Sequence, residues 1–418
     1  MSQANSSAPA RRNIVVLGML STFGPISLDL YLPALPQLAA ELETSTSAAQ
    51  LTLTACLIGL AVGQIVAGPM SDRFGRKRPL MIGLIAYALA SLACAFAWSI
   101  SVLLVLRLIQ GLAGAAGIVI ARAVARDLHE GRALVIFFSR LVLVSGLAPV
   151  IAPVLGGQLN RVMTWRGIFV VLAVIGVVLV LAGWLGLKES LPPEKRIVGG
   201  LTATLRGFGL LIRDRFFVGV ALAAGLVGAS MFSYIAGATF VLQKIYGLSP
   251  QGFSLAFGIN SLGILGSAQL SARLTRRFSP LRVLAAGLAV NLTGALCLAT
   301  AVLLGLSLPF VLVSLFVMVS AIGMVLPTST ALALANYPER AGTASALLGL
   351  LQYLVGGLAA PLVGLGGEDT AVPLGVVAAS ASLGASVVFA ALVVPPILAR
   401  RRTAKLRSAP EPPPTPAT

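Results

Sequence analysis

From residue 14 to residue 398 the chain is a succession of apolar runs of about 20 residues, each closed by charged residues or by a Pro/Gly break. At 1.5 Å rise per residue such a run covers a hydrocarbon layer about 30 Å thick. Twelve helices are predicted, at 14–33, 48–70, 79–97, 101–121, 134–157, 167–187, 216–243, 252–272, 283–306, 308–330, 342–364 and 373–398. The hydrophobic share of 57% and charged share of 10% exclude a water-soluble domain of this length, which would expose large apolar patches. The expected fold class is therefore all-α and integral to a membrane, with twelve transmembrane helices and no soluble domain left over.

Net charge of +17 alone would suggest a nucleic-acid partner, but its placement argues for topology instead. With the N-terminus placed in the cytoplasm, 25 Lys and Arg fall on the inner side and three, Arg161, Arg166 and Lys244, on the outer. Arg107 and Arg140 fall within spans. This split follows the positive-inside rule and predicts both termini in the cytoplasm of a bacterial inner membrane. No nucleic acid is expected as a partner, and a monomer surrounded by lipid is.

The longest inner connection, about 188–215, divides the spans into two sets of six. The organisation expected is a tail at 1–12, a retained first span rather than a signal peptide, a six-helix bundle at 13–190, a linker at 191–215, a second bundle at 216–398 and a basic, Pro-rich tail at 399–418. A shift of 204 residues lays Arg73, Phe74, Arg78, Leu80, Gly83 and Leu84 over Arg277, Phe278, Arg282, Leu284, Gly287 and Leu288. Two repeats of one unit are characteristic of transporters that rock two bundles about a site near the midplane.

The chemistry available inside the membrane is narrow. His129, the one histidine, lies in a charged connection, and Cys56, Cys94 and Cys297 each stand alone in apolar stretches, where a small buried hydrophobe is expected. Nucleophile and base pairs, metal clusters and phosphate-cradling loops are not visible in the spans, so neither an enzyme nor a cofactor is expected. Any proton chemistry must use carboxylates. Asp29 is the only acid within a span, and an unpaired carboxylate there costs ~2.5 to 3.5 kcal/mol on insertion scales. It must face a cavity, find a partner or take up a proton. Arg107, in Arg107-Leu108-Ile109-Gln110-Gly111, lies at similar depth in the fourth span, so the two can meet.

Two motifs point to a family. The first inner loop reads Gly68-Pro69-Met70-Ser71-Asp72-Arg73-Phe74-Gly75-Arg76-Lys77-Arg78 and resembles the major facilitator signature G-x-x-x-D-R-x-G-R-K/R, complete and between the second and third spans. Its second-half counterpart is degenerate, with Arg276 in the place of Asp72. The fifth span carries Pro149, Pro153, Gly156 and Gly157 in a stretch that resembles the G-x-x-x-G-P-x-x-G-G antiporter signature, with Ala148 and Ala152 for its two leading glycines.

Together with DLYLPALP after residue 28, RLIQG in the fourth span and GTASALLGLLQY in the eleventh, these motifs resemble the Bcr/CflA drug-resistance branch of the major facilitator superfamily. The resemblance implies two six-helix pseudo-repeats, proton antiport and export of drugs such as bicyclomycin or chloramphenicol. It implies roles for Asp29 and Arg107 in proton coupling, with the proton as coupling ion. Gly68, Asp72, Arg73, Gly75 and Arg76 would form a conformational latch. Tyr31, Gln110, Phe232 and Tyr234 would line the substrate cavity, since the first, fourth, seventh and tenth helices face it. Ser21 occupies the place where some multidrug relatives carry a second carboxylate, which argues against efficient export of cations. The alternative is a proton-coupled carrier of an endogenous metabolite, exported or imported, such as a sugar or carboxylate.

Overall fold

A computed structural model describes residues 16–128, 148, 150–196, 200–337, 341–367 and 369–395. Helical residues 16–21 lead into α1 (Phe23–Asp29), and a 3-10 turn at Leu32–Ala34 leads into α2 (Leu35–Glu41). The first half continues with α3 (Thr46–Phe74), α4 (Lys77–Ala95), α5 (Ile100–Leu128), α6 (Val150–Leu159) and α7 (Trp165–Gly186). A linker helix, α8 (Gly200–Leu211), precedes the second half. That half comprises α9 (Arg215–Phe240), α10 (Pro250–Leu274), α11 (Pro280–Leu303), α12 (Leu308–Ser320), α13 (Ile322–Ala335), α14 (Ala341–Ala359) and α15 (Val372–Val388).

Ten helices among the described residues are long and apolar enough to cross a bilayer, with α12 and α13 forming one of them. The described parts of the first and fifth spans are shorter, because 1–15, 129–147 and 149 lie outside the described residues. Helix starts follow local chemistry: the Ser45 hydroxyl accepts from the Ala48 N–H at 3.2 Å and the Ser249 hydroxyl from Gly252 at 3.1 Å, the latter just before Pro250 in the first turn. The first span stops at Asp29 rather than running to residue 33, because Pro33 and Pro36 deny the backbone N–H groups a continuing helix needs. The fourth helix is longer than predicted. Its Ala-rich end, Ala121 to Leu128, holds no breaker, so Arg122 and Arg126 sit on α5 rather than in the connection after it.

The repeat expected from the sequence has a packing counterpart. Gly83 on α4 abuts Ala113 and Ala116 of α5, while Gly287 on α11 abuts Met324 and Val325 of α13. Large apolar side chains on the bundle's periphery, such as Ile82, Leu89, Val174 and Leu185, are exposed, as a lipid-facing belt requires. Cys56 and Cys94 are buried as expected, but Cys297 is exposed; on a face bathed in lipid, an apolar thiol has no need of cover.

The halves close on each other at the end of the bundle opposite the Gly68–Arg78 loop. There Ser47 donates to the Pro361 carbonyl at 3.1 Å, Thr54 to Gly357 at 2.7 Å, Gln50 to Ala236 at 3.3 Å, Gln243 to Pro33 at 3.3 Å and Gln251 to Gly157 at 2.8 Å. Each is a neutral side chain reaching a backbone carbonyl of the other half. The ion pairs Arg76–Asp72, Arg76–Asp127 and Arg166–Glu41 each lie within the first half. At the loop end the linker helix packs on both halves, against α3 and α14, with its Gly207 against Thr343.

Candidate functional site

Arg107 is fully buried and organises the interior of the first half. Its Nη1 donates to the Ser27 carbonyl at 3.1 Å and its Nε to the Thr52 carbonyl at 3.3 Å. Nη1 also donates to Gln110 Oε1, whose amide in turn donates to Ser91 at 2.7 Å. The guanidinium lies 4.5 Å from the Tyr31 ring centroid and 5.6 Å from that of Phe169, so aromatic faces supply the negative potential that a carboxylate would. Tyr31 bonds Thr52 at 2.9 Å, and Ser27 bonds Tyr87 at 2.7 Å. One Arg107 nitrogen, Nη2, is buried with no hydrogen-bond partner.

Asp29 takes no part in this network. It is 4% exposed and forms no ion pair or hydrogen bond among the described residues. In this conformation it is therefore not paired with Arg107, although the two share a depth. Helical geometry gives the reason: Ser27 and Asp29 are two residues apart on α1, hence about 200° apart around its axis. Ser27 turns its hydroxyl to Tyr87 inside the first half, and Asp29 lies on the opposite side of α1. Its charge is within electrostatic reach of the Tyr234 hydroxyl of α9 and the Tyr353 hydroxyl of α14.

The four residues expected to line a cavity separate into two groups. Tyr31 and Gln110 are fully buried inside the first half, beside Arg107. Phe232 and Tyr234 are buried where α9 meets α14 and α10: Phe232 packs against Gly356 and lies 6.1 Å from the Tyr353 ring, and Tyr234 stacks on Phe257 at 5.3 Å while accepting from Asn260 at 2.9 Å.

The loop signature folds around Arg76. Its guanidinium pairs with Asp72, donates to Ser71 at 2.9 Å and reaches Asp127, at the end of α5, at 2.8 Å. The Glu189 carboxylate receives the backbone N–H of Arg76 at 2.8 Å and of Lys77 at 3.1 Å, capping α4 from the far end of the half. Gly75 is required twice over: φ is +87°, and a Cβ would stand 2.6 Å from Glu189 Oε2. Burial alone would push the Glu189 carboxyl up, but the N–H groups of Leu191, Arg76 and Lys77 and the charge of Arg196 hold it below its ordinary value. Arg73 is exposed, with its guanidinium over Phe74, and Gly68 sits inside α3 with ordinary room around it. Asp127 and Glu189 are partners of this loop that the motif alone does not reveal.

In α6, a Cβ on Gly156 would stand 1.9 Å from the Leu30 carbonyl, and one on Gly157 would stand 2.3 Å from Ser254 of α10. The first glycine admits the turn that follows Asp29, and the second admits the other half. Pro153 is buried in α6, and Pro149 lies outside the described residues.

Two pseudo-equivalent halves, closed at one end around a lone buried carboxylate and a buried arginine hub, define a membrane transporter of the alternating-access class. Residues 16–361 match the family model described as Major Facilitator Superfamily. An uncharacterized MFS-type transporter, YdgK, of Bacillus subtilis (strain 168) is 42% identical over 87% of this chain and 90% of its own length. The bicyclomycin resistance protein homolog of Haemophilus influenzae is 30% identical over 86% of this chain and 91% of its own. Among solved structures, an inward-facing, unoccupied bacterial homolog of the human lysosomal transporter Spinster superposes with TM-score 0.70 at 18% identity, over 97% of this chain and all of that one. The chain belongs to the Major Facilitator Superfamily, in the Bcr/CflA-type branch that its loop and span motifs resemble.

Proposed function

We propose that this transporter expels small, largely apolar drugs across a bacterial inner membrane in exchange for protons, with Asp29 as the proton carrier. The observation that carries the reading is the position of Asp29: the one acid within the spans, almost fully buried and unpartnered among the described residues. A carboxylate so placed is stabilised by taking up a proton or by a ligand that donates to it, and the two compete. That competition is what couples drug to proton.

The closed end, where the inter-half bonds lie, is on this reading the outer face, and the gap bearing the basic loop opens to the cytoplasm. Arg107 holds the last turn of α1 through the Ser27 carbonyl and thereby aims Asp29. Its unpartnered Nη2 supports an ion pair with Asp29 in the alternate state, when α1 turns relative to α5 and Asp29 is ionised. The relatives named for bicyclomycin and chloramphenicol resistance support a drug as cargo.

The test is drug accumulation in cells lacking their own efflux pumps, across a panel headed by chloramphenicol and bicyclomycin. Expression of the chain should lower accumulation of at least one compound, and both an uncoupler and Asp29→Asn should abolish the effect. Lower accumulation that survives the uncoupler would overturn the proton exchange.

A further inference from the structure

Arg166, in the first turn of α7, lies at the end of the bundle opposite the Gly68–Arg78 loop. Its Nε donates to Glu41 at 2.8 Å, and its Nη1 donates to the Ala95 and Ala97 carbonyls, at 3.0 and 2.7 Å, where α4 ends. The third nitrogen, Nη2, makes no hydrogen bond among the described residues and is not enclosed. The guanidinium lines an open cavity of about 410 Å³ between the end of α4 and the start of α7. Phe96 and Trp98 line it too, and they are 71% and 79% exposed. Aromatic rings so bare belong at the level of lipid headgroups, where an apolar body meets a polar boundary.

An apolar track leads from this cavity into the lipid-facing belt. The two helices pack closely, since a Cβ on Gly176 of α7 would stand 2.9 Å from Ala88 of α4. Beside that seam Leu89 and Leu92 of α4 and Val170, Val174, Val177 and Leu181 of α7 are exposed at helical spacing. Val170 to Leu181 rises about 16 Å, close to the ~15 Å that one leaflet contributes to a hydrocarbon core about 30 Å thick. We propose that the cavity is a phospholipid site: Arg166 Nη2 binds the phosphate, Phe96 and Trp98 flank the ester region, and one acyl chain lies along the track. A phosphate oxygen supplies the acceptor that Nη2 lacks, in a charge-assisted bond. The lipid would brace the junction at which Glu41 and Arg166 join α2, α4 and α7. The site uses neither Asp29 nor the signature loop, so it stands apart from the export reading.

The experiment photocrosslinks the purified full chain in detergent with a phosphatidylglycerol that carries a diazirine in its acyl chain, and separately with the diacylglycerol of the same chains, which lacks the phosphate. The phospholipid should label residues 89–98 and 170–181 about tenfold more strongly than the diacylglycerol does. Phe96→Ala combined with Trp98→Ala, at exposed positions, should melt with the parent and lose that labelling several-fold. Arg166→Gln should label equally with both probes. Equal labelling of the parent by both probes would mean ordinary lipid contact only and would overturn the proposal. So would parental labelling in the Phe96→Ala, Trp98→Ala protein, a result that stands whether or not Arg166→Gln folds.

Discussion

Arg107 bonds the Ser27 carbonyl at 3.1 Å, and Asp29, two residues further on, lies on the opposite side of α1 from Ser27. The arginine is thus an anchor for the helix that carries the acid. Removing it takes a buried hydrogen bond from each of the Ser27 and Thr52 carbonyls and from Gln110, and empties the space beside the Tyr31 and Phe169 rings. Arg107→Ala should cost about 3 kcal/mol of stability and abolish export. Arg107→Lys should also lose most export, because an ammonium cannot bond two carbonyls and a glutamine while lying flat on aromatic rings. Thermal melting in detergent and transport assays read the two effects, and a fully active Arg107→Lys protein would contradict the anchor role.

Gly157 and Ser254 meet at the closed end with no room for a methyl group. Gly157→Ala should shift the protein toward the state open at that end, and Gln251→Leu, which removes a neutral bond to the same glycine carbonyl, should do so more weakly. Spin labels placed across that end, at positions 45 and 369 in a Cys-free background, should report longer separations in both variants. Because the five bonds named across this end are uncharged, their contribution to the parental distance distribution should respond little to salt.

Glu189 gives the clearest pH dependence. Its carboxyl is held below its ordinary value of 4.5, so the stabilisation it provides is fully present above that value. It is lost as pH falls through the lower folded-state value. Glu189→Gln should therefore melt below the parent at pH 7, and the gap should close at pH values below about 4. Melting curves across pH check this, and a gap that persists unchanged in acid would contradict the capping role. Gly75→Ala should lower the melting temperature at every pH, because its cost is backbone strain and a clash with Glu189.

The architecture was legible in the sequence because each apolar run is long enough to span and each inner connection is basic, two signals that reinforce each other. Asp29 and Arg107 stood out for the cost of burying charge. What could not be read was direction: Tyr31 and Gln110 both lie against Arg107, and a one-dimensional pattern does not say which way a polar side chain in lipid points. Glu189 escaped because it lies 113 residues from the backbone it caps. The full length of α5 escaped because Arg122, a basic residue near a span's end, was assigned to the connection. The signal was there in Ala121 to Ala125, which contains nothing to end a helix before Asp127.

The exchange at Asp29 is tested most directly by proton release from the purified chain in lightly buffered detergent when chloramphenicol is added. The account predicts that binding to the parent releases protons to the medium, and that Asp29→Asn binds drug without releasing any. Equal release from both proteins would contradict it.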